Sequence, residues 1–524
     1  MNPRPSRAVC LLLALLCMAA VFIRFYHLES NPLWYTDETN YITLSWQLGH
    51  FVPVNQAAHK ALIFPFATDA VPHPPLFFAV DGLMMRLLGK GVLAGRFLSA
   101  LLGLLCTYLL YNGVRRLFGK AAGFVAAGLF AFHLPSVFFL RWGMPYNLSM
   151  ACTIGAFWAL AHAQWGTKKE LWLARASFLA GLAALSAFFG LPVLVFVSAI
   201  AILRLRRKPL ALSAVLAIGW LPILAFLLVG TFTRGNPFWN DFLALGLRAS
   251  GGGSAMQRLH DFGFQLLRLI TGSRLRFIYG EGLQVLPLDF IYPLGVLGIF
   301  CILWRARHRR WIPLFFLFTA LPALLKRAGD PEIKYDEVMF LFFIYIGFGV
   351  LLSFVLHYLK RKHYFLASRV TLTFASFFLL ALACLRIFQV ITKLPSQYER
   401  FGSVHSIEDA RAVAQFVNSH VSPNDLILAP ERIDFLLNGK VTSVYQSLAK
   451  VTGSTTWHHN IEPWRYAFDT DFHKARFIIL DETDRALVLQ PSNPNMETLL
   501  NELQPGRWRL ADQIGEYVIL EQRA

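Results

Sequence analysis

The chain has 524 residues, of which 56% are hydrophobic, 15% aromatic and only 15% charged. That balance excludes an ordinary water-soluble enzyme and points to a polytopic membrane protein. The net charge of +18 does not mark a nucleic-acid binder, because most Lys and Arg sit in short clusters between apolar runs, where the positive-inside rule puts them.

Arg4 and Arg7 precede an apolar run from Ala8 to Ile23. No small-x-small cleavage site follows, so the run reads as a retained first span with its N-terminus in the cytoplasm. Residues 29–95 then form a long outer segment that holds WYTDETNY, Trp34 to Tyr41, and PHPPLF, Pro72 to Phe77. The apolar stretch Leu76 to Leu88 contains Asp81 and Arg86 and is short of the roughly 20 residues a span needs. It is expected to lie in the interface.

Ten further spans are expected near 97–114, 121–140, 146–164, 171–187, 189–203, 210–230, 286–304, 311–325, 337–357 and 370–391, which makes eleven in all. Every second connection is then strongly basic: Arg115, Arg116 and Lys120; Lys168 and Lys169; Arg204, Arg206, Arg207 and Lys208; Arg305, Arg307, Arg309 and Arg310; Lys360, Arg361 and Lys362. Counting Leu76 to Leu88 as a span would put all these clusters on the wrong side. An odd count from an inside start leaves the C-terminus outside.

Two outer loops run against the charge trend. Residues 231–285 carry Arg234, Arg248, Arg258, His260, Arg268, Arg274 and Arg276 among Leu and Phe, and Lys326 to Glu337 holds Lys326, Arg327, Lys334 and Tyr335. Such segments lie on a membrane surface or meet an anion; headgroup snorkelling is the bland reading for any single Arg. Gly251 to Gly253 is no phosphate loop, since no GK[ST] follows.

After Pro395 the composition becomes that of a soluble domain. The expected division is therefore a transmembrane domain over 1–394 and an extracytoplasmic α/β domain over 395–524. Ser406 with Asp409 starts a helix through Val417, and DLILAP, KVTSVYQ, RFIILDE and EYVILEQ read as strands. The DTD at Asp469 to Asp471 resembles an acidic metal motif of nucleotide-sugar transferases, but a three-letter match without a preceding buried strand is mostly chance. The six cysteines lie in or beside apolar runs, with no zinc-ligand spacing.

Asp37 and Glu38 stand where acids are otherwise scarce. Capping a helix that runs through Tyr41 to Leu48 is the bland reading, with the carboxylates near its positive end. Capping alone does not need two acids between aromatics at a membrane rim. An outer carboxylate pair, outer basic residues and many apolar spans together suit transfer of a sugar from a lipid phosphate. The carboxylate supplies a base to the acceptor hydroxyl, and fixed positive charge receives the leaving phosphate. Asp37 fits the first role; His73, Lys334 and the arginines of 231–285 fit the second.

At these residues the chain resembles the GT-C glycosyltransferases of the protein O-mannosyltransferase and aminoarabinose-to-lipid-A transferase superfamily. The resemblance rests on WYTDETNY, the HPP segment, GRFLSALLGLLCTYLLYNGVRRLFG and the RWGMPY turn at 141–146, and more loosely on Lys334 and Tyr335. It implies a GT-C-like helical membrane fold and an integral-membrane enzyme that transfers a sugar from a polyprenyl-phosphate donor to a lipid, glycan or protein hydroxyl outside the cytoplasm, with inversion. It implies Asp37 as base, Glu38 as its support, Tyr41 lining the site, and Tyr335 on the phosphate side. One branch has a lysine before PP; here it is His73, whose phosphate contact would depend on protonation. Where some members place an acid before a proline in the outer loop between the third and fourth spans, this chain has Met144 before Pro145, and Arg141 is a candidate phosphate ligand instead.

No cofactor is required by the sequence, and the outer acids offer no divalent-metal ligand pattern. Expected partners are the lipid-linked donor, the acceptor and membrane lipids, with no nucleic acid. The expected location is the inner or plasma membrane, multi-pass, with the C-terminal domain periplasmic in a bacterium. The alternative is a transporter or lipid-linked sugar flippase, which would place ionisable residues near the bilayer midplane. A membrane scaffold with an exported sensor domain is the third reading.

Overall fold

The computed structural model describes residues 7–32, 34–50, 66–68, 71–234, 239, 254–271, 290–305, 307–325, 338–392, 404–430, 432–444, 447, 468–482, 484–485 and 507–523. The first apolar run forms α1 (Arg7–Phe25). The outer segment contributes β1 (Trp34–Tyr35), α2 (Thr36–His50), β2 (Phe66–Thr68), β3 (Val71–His73) and α3 (Leu76–Leu88). Among the described residues, twelve helices follow: α4 (Val92–Phe118), α5 (Lys120–Phe132), α6 (Leu134–Phe139), α7 (Pro145–Trp165), α8 (Lys169–Ser186), α9 (Leu191–Leu205), α10 (Pro209–Arg234), α11 (Ala255–Thr271), α12 (Ile291–Arg305), α13 (Trp311–Leu324), α14 (Val338–Arg361) and α15 (Phe365–Thr392).

By length and composition, five of the described helices can cross a membrane: α4, α9 with the turn before it, α10, α14 and α15. Shorter apolar helices lie in α1, α5, α12 and α13. The expectation of eleven crossings thus rests on the alternation of loop charge, not on helix length. The stretch expected as one span over 121–140 is divided. His133 is extended, with φ −71° and ψ 135°, and α6 restarts with Pro135 in its first turn. Proline cannot donate to the preceding turn, so the first turn of a restarted helix suits it.

The chain divides into two compact units. One comprises Met1–Pro32, Arg96–Ala225 and Ala249–Ser396; the other comprises Leu33–Gly95, Phe226–Arg248 and Gln397–Ala524. In the first, α12 and α14 meet through glycines: a Cβ on Gly298 would overlap the carbonyl of Gly347. Small residues at such crossings let backbones approach where lipid supplies no hydrophobic drive.

The second unit joins the acidic segment to the C-terminal module. That module contains β4 (Val404–His405), α16 (Ile407–Asn418), β5 (Leu426–Leu428), β6 (Lys440–Thr442), β7 (Ala475–Leu480), β8 (Trp508–Ile514) and β9 (Tyr517–Gln522). Five strands form a sheet in the order β6-β5-β7-β9-β8, parallel from β6 to β7 and antiparallel beyond. The ARFIIL run of β7 is nearly continuous because a central strand is covered on both faces. Phe477 and Ile479 face one apolar cluster, Ile478 and Leu480 the other. Ser406 caps α16, its hydroxyl accepting from the amide of Asp409 at 3.3 Å. The DTD is local turn chemistry: Asp471 accepts from the amide of His473, and Lys474 pairs with Asp469.

Two contacts fix α2 and α3 in this unit. β1 pairs antiparallel with β4, Trp34 opposite His405 and Tyr35 opposite Val404. Ile42, Met85, Val92 and Ala94 enter the same apolar cluster as Ile407 and Ile433. Between the helices, Tyr41 meets Phe78 edge to face at 5.5 Å, and Gly49 meets Gly82. The contact advances along both chains together, so the helices run the same way. A Cβ on Gly82 would overlap the carbonyl of Ser45, whereas one on Gly263 of α11 would meet nothing within 4 Å. Gly82→Ala is expected to cost about 1–3 kcal/mol through forced separation of the helices, and Gly263→Ala to gain up to about 1 kcal/mol. Melting of the detergent-solubilised protein checks both signs.

Candidate active site

The acidic motif begins where a strand turns into a helix. β1 ends at Tyr35 and α2 starts at Thr36, so Asp37 and Glu38 fall in the first turn, where amides lack intrahelical partners and the helix dipole is positive. The bland capping position and the functional one are the same place. Glu38 is buried, at 2% exposure, and Tyr41, one turn on, is buried against Phe78. The backbone of Asp37 is placed; its side chain lies outside the described atoms.

The HPP motif is a strand-to-helix joint. β2 and β3 form a hairpin with Phe66 opposite His73. His73 ends the strand, as a residue before proline favours an extended backbone. Pro74 and Pro75 are buried, and Pro75 is the N-cap of α3. The two prolines thus stop the hairpin and start the helix at a fixed distance from His73, whose side chain also lies outside the described atoms.

Arg141 calls for a correction. Expected to meet the carrier phosphate, it is fully buried and donates to backbone carbonyls. Nε donates to Asn31 at 2.8 Å, one terminal nitrogen to Ile23, and the other to Tyr26 at 2.6 Å and Asn31 at 2.6 Å. Burial and then the neighbouring Arg96 and Arg24 lower its pKa to about 9, so it remains cationic at neutral pH. The side chain is committed to the exposed carbonyls beyond the C-terminus of α1, the negative end of a helix.

Sequence reasoning missed its companions. Arg24 donates to the carbonyls of Ser136 and Phe130, at 2.7 and 3.1 Å, and Arg96 to those of Leu28, Glu29 and Pro32, at 2.9, 3.1 and 2.7 Å. Arg386 donates to Phe132 at 3.2 Å. Asn147 closes the RWGMPY turn, its amide donating to Phe139 and Trp142 at 2.8 Å each. The signal was present: arginine at the edge of an apolar run is costly enough to need a reason.

Of the other candidates, Arg258 is exposed on α11 and belongs to the first unit with Arg141, while Glu38 and Tyr41 belong to the second. Arg248, Lys334 and Tyr335 lie outside the described residues. Among the described residues, no three His, Cys, Asp or Glu side chains gather as a metal site.

Comparison with known proteins adds the fold's relations. A family model described as dolichyl-phosphate-mannose-protein mannosyltransferase matches residues 72–231. No curated protein sequence matches. The structure resembles ArnT from Cupriavidus metallidurans bound to undecaprenyl phosphate, with a TM-score of 0.67 and 14% identity over 98% of each chain. The apo state of that protein gives 0.66 and 15% over the same shares. The archaeal oligosaccharyltransferase AglB from Archaeoglobus fulgidus, in complex with an inhibitory peptide and a dolichol-phosphate, gives 0.52 and 11%, over 90% of this chain and 69% of that one. The fold is therefore that of the GT-C glycosyltransferases.

Replacing Arg141 by Lys leaves several carbonyls without a donor, at about 1–3 kcal/mol each. The expected result is a lower melting temperature with unchanged donor affinity in the folded fraction. A variant with wild-type melting and lost donor affinity would return Arg141 to the phosphate.

Proposed function

We propose that this chain, built on the GT-C fold, is an integral-membrane glycosyltransferase that moves a sugar from a polyprenyl-phosphate carrier to an acceptor hydroxyl on the extracytoplasmic face, with inversion. The observation that carries the reading is the acidic pair in the first turn of α2, locked to the C-terminal module by the pairing of β1 with β4. Two structures of similar fold hold a polyprenyl or dolichol phosphate, which supports a donor of that class.

The reaction follows from charge. Asp37 takes the proton of the acceptor hydroxyl as its oxygen attacks the sugar's anomeric carbon from the side opposite the phosphate. The bond from that carbon to the phosphate oxygen breaks, and the carrier phosphate leaves with the electron pair. One displacement inverts the anomeric centre. Glu38, buried beside it in sequence, supports the base. The leaving phosphate is a weak base and needs positive charge more than a proton; His73, Arg248, Arg258, Lys334 and Tyr335 are assigned to that side. The acceptor is a lipid, glycan or protein alcohol.

Sidedness follows from loop charge. With the N-terminus inside, the basic connections face the cytoplasm, and the acidic segment and C-terminal domain face outward.

Purified protein with a polyprenyl-phosphate sugar and a lipid acceptor tests the assignment. Asp37→Asn is expected to lower kcat by about 10²- to 10⁴-fold with the fold intact, and His73→Ala to raise KM for the donor more than for the acceptor. Full activity of Asp37→Asn would remove it as the base, and equal losses for both substrates would remove His73 from the phosphate.

A further inference from the structure

Asp81 plays no part in the scheme above, yet its placement is unusual. It sits in the middle of α3, at 2% exposure, next to Gly82, where α3 touches α2. Ser45 abuts that contact, and Glu38 lies seven residues before Ser45, two turns along the same face of α2. Oδ1 of Asp81 is buried without a hydrogen-bond partner, and the Ser45 hydroxyl is the one polar side chain that acts on the carboxyl as a hydrogen-bond donor. A buried carboxylate with one neutral hydroxyl beside it and no cation is strongly disfavoured, and such a group keeps its proton.

We propose that Asp81 is a positioning residue of the acidic motif: a neutral carboxyl packed where α3 meets α2, which adds no second charge to the side of α2 that carries Glu38 and fixes how the two helices pack. The inference rests on the glycosyl-transfer reading and deepens it. Asp81 exchanges no proton in the reaction; the acceptor's proton goes to Asp37.

The electrostatics agree. Burial, and then the charge of Glu38, raise the Asp81 pKa to about 7, with Ser45 opposing the shift. The other charged or titratable residues on the elements around it are Asp37, Tyr41 and His50 on α2, the exposed Arg86 on α3, Lys90 just beyond it, Glu408, Asp409 and Arg411 on α16, Arg432 and Asp434 after β5, and Tyr517 on β9. Glu38 is the charge among them that acts on Asp81. The sign is fixed. The unfolded carboxyl ionises near 3.8 and the folded one near 7, so the folded state holds the extra proton and stability falls as pH rises through that window. Above it a second charge appears beside Glu38, and activity should fall too.

Two readouts on the full-length protein test this. Melting against pH should decline from pH 4 to 7 in the wild type and much less in Asp81→Asn, whatever reaction the protein catalyses. In the transfer assay, Asp81→Asn should lose the alkaline limb near pH 7, while Asp81→Ala should lose kcat by up to about 10²-fold with donor KM unchanged. Should Asp81→Asn not fold, Ser45→Ala serves, since removing that hydroxyl should move the limb to higher pH. A wild-type pH dependence that Asp81→Asn or Ser45→Ala leaves unmoved in both readouts would overturn the proposal. A wild type inactive with every lipid-phosphate donor would overturn the transfer reading instead, and the melting measurement would still decide whether Asp81 is held neutral.

Discussion

The pairing of Trp34 and Tyr35 with Val404 and His405 is the constraint on which the account depends. Strands pair only within one compartment, so the acidic segment and the C-terminal module share a side of any membrane the chain crosses. The number of crossings between Tyr35 and Val404 is consequently even. The ten spans expected there from loop charge are even in number, whereas the five described helices long enough to span are odd, so at least one of the shorter apolar helices must cross as well. Moving one apolar stretch in or out of the bilayer breaks the pairing or requires a second change. The burial of Met85 of α3 beside Ile407 and Ile433 ties that helix to the same module.

A second constraint is the handling of positive charge in the first unit. Arg24, Arg96, Arg141 and Arg386 are buried and donate to backbone carbonyls. Helix C-termini leave carbonyls without intrahelical donors, and an apolar interior supplies no water to meet them. Guanidinium groups meet several at once, so the break at His133 and the stretch after α1 can remain irregular and buried. A transporter would be expected to hold ionisable groups along a path at mid-membrane; here the four arginines are occupied in joining segments.

Much of this was legible in the sequence because hydrophobic length and loop charge act locally. The apolar helices, the cap at Ser406 and four strands of the C-terminal sheet follow from periodicity and composition. β8 was missed because WRLADQI alternates weakly, and β1 and β4 because two-residue strands have no periodicity. Their partner lies some 370 residues away, and pairing at that distance leaves no local mark. The HPP motif was legible as a special joint, since two prolines after a strand must start something new. The role of Arg141 was not, because phosphate oxygens and backbone carbonyls ask the same of a guanidinium. Asp81 was visible only as an obstacle to a membrane span; its burial against Ser45 depends on Gly82, a close approach that only three dimensions reveal.

The central claim is that the acidic pair works outside the cytoplasm, and because β1 holds β4, the C-terminal module reports its side. The direct measurement is labelling of Arg523→Cys, in a variant whose six native cysteines are replaced, with a membrane-impermeant thiol reagent on intact cells. The account predicts labelling without permeabilisation. Labelling only after the membrane is opened would place Asp37 and Glu38 with the cytoplasmic nucleotide sugars and contradict it.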